Sequence, residues 1–156
     1  MYEPMLKIMN RDELAFVLGH EMGHAALGHI WLNTIVGGLA GSPAPYGIGY
    51  LMYFIFQWWS QACELSCDRA GLLACGSLNQ AISALVRLAA PNIRTQSEFE
   101  KTLAMVDAQD DSFINGVAEL FQSHPRIIKR INQLKQYATS AEYRRLQAAM
   151  DRNLSA

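Results

Sequence analysis

Three glycines, Gly19, Gly23 and Gly28, fall inside the first strongly helical stretch of this chain. Each costs roughly 1 kcal/mol relative to alanine in a helix interior. The stretch still has a well-marked start. Asn10 is a capping residue and Glu13 stands three residues later, a capping-box pattern ahead of the apolar Leu14, Val17 and Leu18. The pattern predicts a helix from Arg11 to about Ile30. A helix so weakened by glycine has to be held by packing or by a ligand, which marks it as a functional element.

The remainder of the 156 residues reads as mainly α, a single domain of ordinary size spanning 1–156. Apolar residues at 51% and charged residues at 17% exclude intrinsic disorder. Thirteen Lys and Arg against fourteen Asp and Glu leave a net charge of −1, so there is no electrostatic case for a nucleic-acid partner. Cys63, Cys67 and Cys75 are odd in number and bunched, unlike a secreted disulfide framework. They point to a reducing compartment, the cytoplasm or the cytosolic face of a membrane. The spacing C-x-x-x-C is no zinc-knuckle spacing, so a buried free thiol is the favoured reading of Cys67 over a thiolate ligand. Met1 to Asn10 shows no signal peptide.

From Ile30 to Cys63 no charged residue occurs. Pro43 and Pro45 divide this stretch into two apolar arms, the second rich in aromatics: Tyr53, Phe54, Phe56, Trp58 and Trp59. Neither arm reaches the ~20 continuous apolar residues that a bilayer crossing needs. A buried helical hairpin is favoured over a membrane or partner contact through Tyr46 to Trp59. A second helix is predicted to continue through Gln61 to Ala74 with Gly76 at C′, and a third to run from Gln80 to Ala89 behind Asn79. Another starts near Thr95 or Ser97 and runs to Gln109, with a short piece from Val117 to Phe121. One opens at Ser123-His124-Pro125 and runs to Tyr137, and a last one runs from Ser140 to Met150. Strand signals are scarce, so any sheet is a small remnant.

His20-Glu21-Met22-Gly23-His24 fits H-E-x-x-H. Residues four apart on a helix lie about 40° apart around its axis, one turn above the other. Two imidazoles so placed can grip one zinc ion, with Glu21 beside them to take a proton from water. Two helix histidines beside an unrelated glutamate are the competing reading. A third ligand at Ile30, the metzincin position, is missing. His29 is nine residues past His20, about 180° around a continued helix, and is expected to face away. The best remaining candidate is Glu64, followed four residues later by Asp68. That spacing lets Glu64 bind metal while Asp68 holds the outer nitrogen of a ligating histidine. An ordinary helical acid pair is the alternative, although like charges at this spacing repel mildly unless a cation intervenes.

H-E-x-x-H, then E-x-x-x-D, then Ser123-His124-Pro125 with Arg130 six residues after His124, resembles the HtpX-like zinc metallopeptidases. That family, within the gluzincins, also holds the type I CaaX prenyl proteases and the Oma-type mitochondrial proteases. The resemblance covers roughly Leu6 to Ile131 and includes the approach from Asn10 to Gly19. It implies a zincin-like domain with one Zn2+ held by His20, His24 and Glu64, and with Glu21 as general base. Asp68 would orient a ligand, His124 would hydrogen-bond the oxyanion and Arg130 would brace an acid near the zinc. For His124 a plain helix-start residue beside Pro125 remains an equal reading on sequence alone, and for Arg130 a solvated helix arginine.

The implied function is zinc-dependent endopeptidase action on a protein or peptide substrate. Family members carry more chain before the zinc helix, including a sheet edge for an extended peptide. Only about ten residues precede it here, which reads as a trimmed or shortened catalytic domain. The competing class is a non-catalytic module that zinc staples together and that docks to a membrane or protein partner through residues 46–59.

Overall fold

The structure is a computed structural model, and it describes residues 8–29, 46–89, 96–108 and 125–154. Six helices carry nearly all of these residues, and no strand occurs among them. They are α1 (Arg11–Ala26), α2 (Tyr46–Cys75), α3 (Leu78–Ala89), α4 (Gln96–Ala108), α5 (Pro125–Ala138) and α6 (Ala141–Leu154). The mainly α expectation holds. The segment 30–45 and the piece at Val117 to Phe121 lie outside the described residues. No helix among those described is long and apolar enough to cross a membrane.

The helix ends follow local chemistry. Asn10 Oδ1 accepts from the backbone N–H groups of Asp12 and Glu13, and the Glu13 carboxylate accepts from the Asn10 N–H, closing the capping box. Gly76, with φ +66°, ends α2 as a left-handed residue whose N–H reaches the Leu72 carbonyl. The cap of α3 falls on Ser77 rather than Asn79, since the Ser77 carbonyl takes the Ala81 N–H at 3.0 Å. Ser140 Oγ accepts from the Tyr143 N–H at the start of α6.

At its far end α1 stops earlier than predicted. Leu27 is the C-cap, and Gly28 adopts φ +70°, so the helix breaks after Ala26 instead of running to Ile30. The third glycine is thus a stop residue, used for the one backbone conformation that side chains resist.

The other two glycines are packing devices. α1 lies against α2 more extensively than any other pair of helices. A Cβ on Gly19 would sit 2.5 Å from Ala74 Cβ, and one on Gly23 would sit 3.2 Å from the Cα of Cys67. Gly71 of α2 answers from the other side, where a Cβ would lie 2.7 Å from the Phe16 carbonyl oxygen. The remaining core is apolar: Phe16 and Leu72 meet Leu85 and Val86 of α3, Phe99 of α4, and Ile127, Ile131, Leu134 and Tyr137 along one face of α5. Arg87 lies over the Phe99 ring at 3.8 Å, and its Nε donates to Glu13 at 2.9 Å. Glu13 also accepts from Ser83 Oγ, which ties the N-terminal end of α1 to α3.

The described part of the uncharged segment corrects one expectation. Residues 46–63 run straight on into the site helix as part of α2. Phe54 and Trp58 are 64% and 73% exposed, so this face is not buried.

Gly71→Ala is expected to destabilise the chain by about 1–2 kcal/mol. Overpacking against the immovable Phe16 backbone outweighs the helix-propensity gain. Thermal unfolding checks this, with a melting temperature lower by roughly 3–6 °C. A rise in melting temperature would show that the helices are free to move apart.

Candidate metal centre

The close approach of α1 and α2 decides where the polar residues beside the glycines can go. His20 and His24 each follow a packed glycine by one residue, so both imidazoles emerge at the rim of the helix contact. Glu64 and Asp68 emerge from α2 on the same rim. Their Nε2 atoms bring the two histidines within 3.2 Å of each other. Glu64 Oε1 lies 3.4 Å from His24 Nε2, and Oε2 lies 3.7 Å from His20 Nε2.

These three separations test the fit to a metal. Four ligands around zinc at bond lengths near 2.0–2.1 Å stand about 3.3 Å from one another along the edges of a tetrahedron. The imidazole nitrogens stand 3.2 Å apart and Glu64 Oε1 lies 3.4 Å from one of them, both close to that edge, and one donor atom from each residue lies within 4.8 Å of the others, so the donor set fits a single divalent cation. The donors are two imidazoles and a carboxylate, the set that catalytic zinc sites use with one position left open. The Glu64 side chain is 37% exposed, so this side of the cluster reaches solvent.

Asp68 stands behind this cluster, buried. Its Oδ1 lies 3.0 Å from His20 Nδ1, and it receives Arg130 Nε at 2.8 Å on Oδ2 and Nη2 at 2.6 Å on Oδ1. Burial alone would raise its pKa. The hydrogen bonds from Arg130 and His20 more than reverse that and hold the carboxyl below its ordinary value. Burial likewise works against the Arg130 charge, but Asp68 and Glu64 raise its pKa further. Arg130 also reaches Glu64 Oε2 through Nη1 at 3.0 Å. One guanidinium therefore bridges both acids of the i, i+4 pair and offsets their repulsion.

The structure brings together His20, His24, Glu64, Asp68 and Arg130, with Glu21 exposed beside His20 on α1. His124 lies outside the described residues, one position before α5 begins at Pro125. A residue that the helical wheel placed on the far side also arrives here. Buried His29, 8% exposed, puts its Nδ1 3.2 Å from His24 Nδ1 and 3.4 Å from Cys67 Sγ. The wheel failed because the helix ends before residue 29. Gly28, just past the last apolar position, was the available signal for that stop. Burial and the neighbouring imidazoles keep the His29 pKa below the ordinary histidine value. Cys67 is a free, fully buried thiol, its pKa pushed up to about 12 by burial and by the surrounding carboxylates. His24, His29 and Cys67 form a second group of three donors within reach of one another.

Two imidazoles of an H-E-x-x-H helix facing a glutamate of a second helix define a class of metal site. Comparison with known proteins narrows the class. The family Peptidase family M48 matches residues 1–138, and the chain belongs to it. Among curated proteins the chain is 27% identical over 161 residues to the plastoglobule-localized metallopeptidase 48 of Arabidopsis thaliana, covering 94% of this chain and 46% of that protein. It is 30% identical over 170 residues to protease HtpX of Acinetobacter baumannii, covering 85% and 55%. A protease HtpX homolog of Bordetella pertussis is 27% identical over 164 residues, covering 84% and 54%. The chain thus spans about half the length of the curated relatives it matches. No solved structure matches it. The resemblance to the HtpX-like family drawn from the motifs holds, and the family implies a metal.

Asp68→Asn takes a charged acceptor from His20 and from Arg130 at once. Zinc affinity, measured by competition with a chromophoric chelator, is expected to fall about 10–100-fold. Unchanged affinity would separate Asp68 from the metal site.

Proposed function

We propose that this chain is the catalytic part of a zinc metalloendopeptidase, with His20, His24 and Glu64 holding one Zn2+ and Glu21 acting as general base. The observation that carries the reading is the convergence of one donor atom each from His20, His24 and Glu64, on two helices, within 4.8 Å of one another. When bound, zinc supplies a Lewis acid that polarises a carbonyl and lowers the pKa of water. The chain's own residues do the rest. Glu21, exposed and next to His20 on α1, takes a proton from the attacking water and returns it to the leaving amine nitrogen. Asp68 fixes His20 through Nδ1, leaving Nε2 as the donor atom. Arg130 holds Glu64 and Asp68 in register. His124, from the family pattern, donates to the oxyanion that develops as the amide is attacked.

The substrate is a protein or peptide, in keeping with relatives named as proteases. The bunched cysteines support a reducing compartment, at the cytoplasm or the cytosolic face of a membrane. The non-catalytic alternative keeps one supporting observation. Phe54, Ile55 and Trp58 are exposed on α2, as a helix that docks to a membrane or protein partner requires.

Glu21→Gln separates the two readings. The variant is expected to bind zinc as the wild type does while peptide hydrolysis falls by about 10²-fold or more. Equal cleavage by both proteins would remove Glu21 from the reaction. A zinc-loaded wild type that cleaves no casein or peptide would leave the docking reading in possession.

A further inference from the structure

The two histidines of the metal cluster have different neighbours at their outer nitrogens. His20 Nδ1 faces the Asp68 carboxylate. His24 Nδ1 faces another imidazole nitrogen, Nδ1 of His29, at 3.2 Å. His24 turns its Nε2 to His20 and to Glu64 Oε1. A neutral imidazole that offers Nε2 as a lone-pair donor carries its proton on Nδ1. That proton then points at His29 Nδ1, which has to be the acceptor, so His29 carries its own proton on Nε2. His29 is held for this task on several sides. It is 8% exposed, its ring meets the Trp59 ring edge-on at 5.8 Å, and Cys67 Sγ is within hydrogen-bond distance of the same Nδ1 at 3.4 Å. The turn at Leu27 and Gly28 returns the chain so that residue 29 comes back under His24.

We propose that His29 is the positioning residue of His24: it accepts the Nδ1 proton, fixes the tautomer and the ring angle, and so presents Nε2 to the metal. The proposal rests on the reading of His20, His24 and Glu64 as the metal ligands. It makes the site symmetrical in logic, with one acceptor for each ligating imidazole, although one acceptor is a buried carboxylate and the other a neutral ring. The same atoms could instead gather a second cation between His24, His29 and Cys67. That arrangement would place metals on both nitrogens of His24 and require a thiolate among three carboxylates, so the hydrogen-bonded arrangement is favoured.

Nitrogen-15 spectra of the histidine side chains in the zinc-loaded chain test this without any variant. The expected pattern is Nδ1–H on His24, with His29 protonated on Nε2 and bare on Nδ1. A proton on His29 Nδ1 would overturn the proposal. Zinc affinity by chelator competition then compares three proteins, with helicity followed by circular dichroism. His29→Phe is expected to bind zinc 10–100-fold more weakly. In His29→Asn a carbonyl oxygen can stand near the Nδ1 position, and affinity is expected within a few-fold of wild type. Equal affinity in wild type and a folded His29→Phe would refute the positioning role. Two zinc ions per chain, or a thiolate-to-metal charge-transfer band on cobalt loading, would show the second-cation arrangement and overturn it too. Failure of the wild type itself to bind zinc is a different result, since it removes the ligand assignment rather than the role of His29 alone.

Discussion

The contact of Gly19 and Gly23 with Ala70, Gly71 and Ala74 governs the rest of the molecule. Helices separated by ordinary side chains pack about 8–10 Å apart. Here the missing Cβ atoms let backbone meet backbone, and the polar residues next to the glycines inherit that closeness. His20 and His24 could sit four apart on any helix. They face Glu64 and Asp68 at hydrogen-bond range only because the two helix axes are allowed together. The propensity cost of glycine in α1, roughly 1 kcal/mol each, is offset by this packing and by the core that Phe16 and Leu72 extend toward α3 and α5.

Charge is arranged along α1 from one end to the other. At the N-terminal end the buried Glu13 carboxylate closes the capping box and gathers Ser83 and Arg87, fastening the helix to α3. Toward the C-terminal end the buried Asp68 of α2 holds His20 and is itself held by Arg130 of α5. Each buried acid is stabilised by an arginine and by a hydrogen bond from the helix it serves, which is the condition for keeping a carboxylate inside protein. The helix is thus pinned at two points with the glycine contact between them. His20 is held in place by the second of these points.

Much of this was legible in the residues. Asn10 and Glu13 announced the helix start, H-E-x-x-H announced the paired imidazoles, and the four-residue step from Glu64 to Asp68 announced a shared face. Arg130 was legible only through the family pattern, because no local rule says which of the many helix arginines turns inward. The role of the glycines was half visible. Their number signalled a helix in need of support, but the partner stripe at Ala70, Gly71 and Ala74 lies fifty residues away, and nothing local links the two. The exposure of Phe54 and Trp58 was misjudged for a related reason: an uncharged aromatic run says that water is avoided, not what covers it.

His29 shows most plainly where periodicity stops being a guide. The angle of 100° per residue applies only while each residue continues the helix, and the error grows with every residue counted past a break. Two positions of non-helical backbone sufficed to swing residue 29 from the far side of α1 to the outer edge of His24. The same turn explains why a glycine is needed there. Among the described residues nothing lies within 4 Å of a Cβ at Gly28, so space is not the constraint there. The left-handed conformation is, and it is the step that lets the chain leave α1 and come back beneath the residue it has just passed. In α1, then, glycine serves two separate ends: closeness between helices at positions 19 and 23, and reversal of direction at position 28.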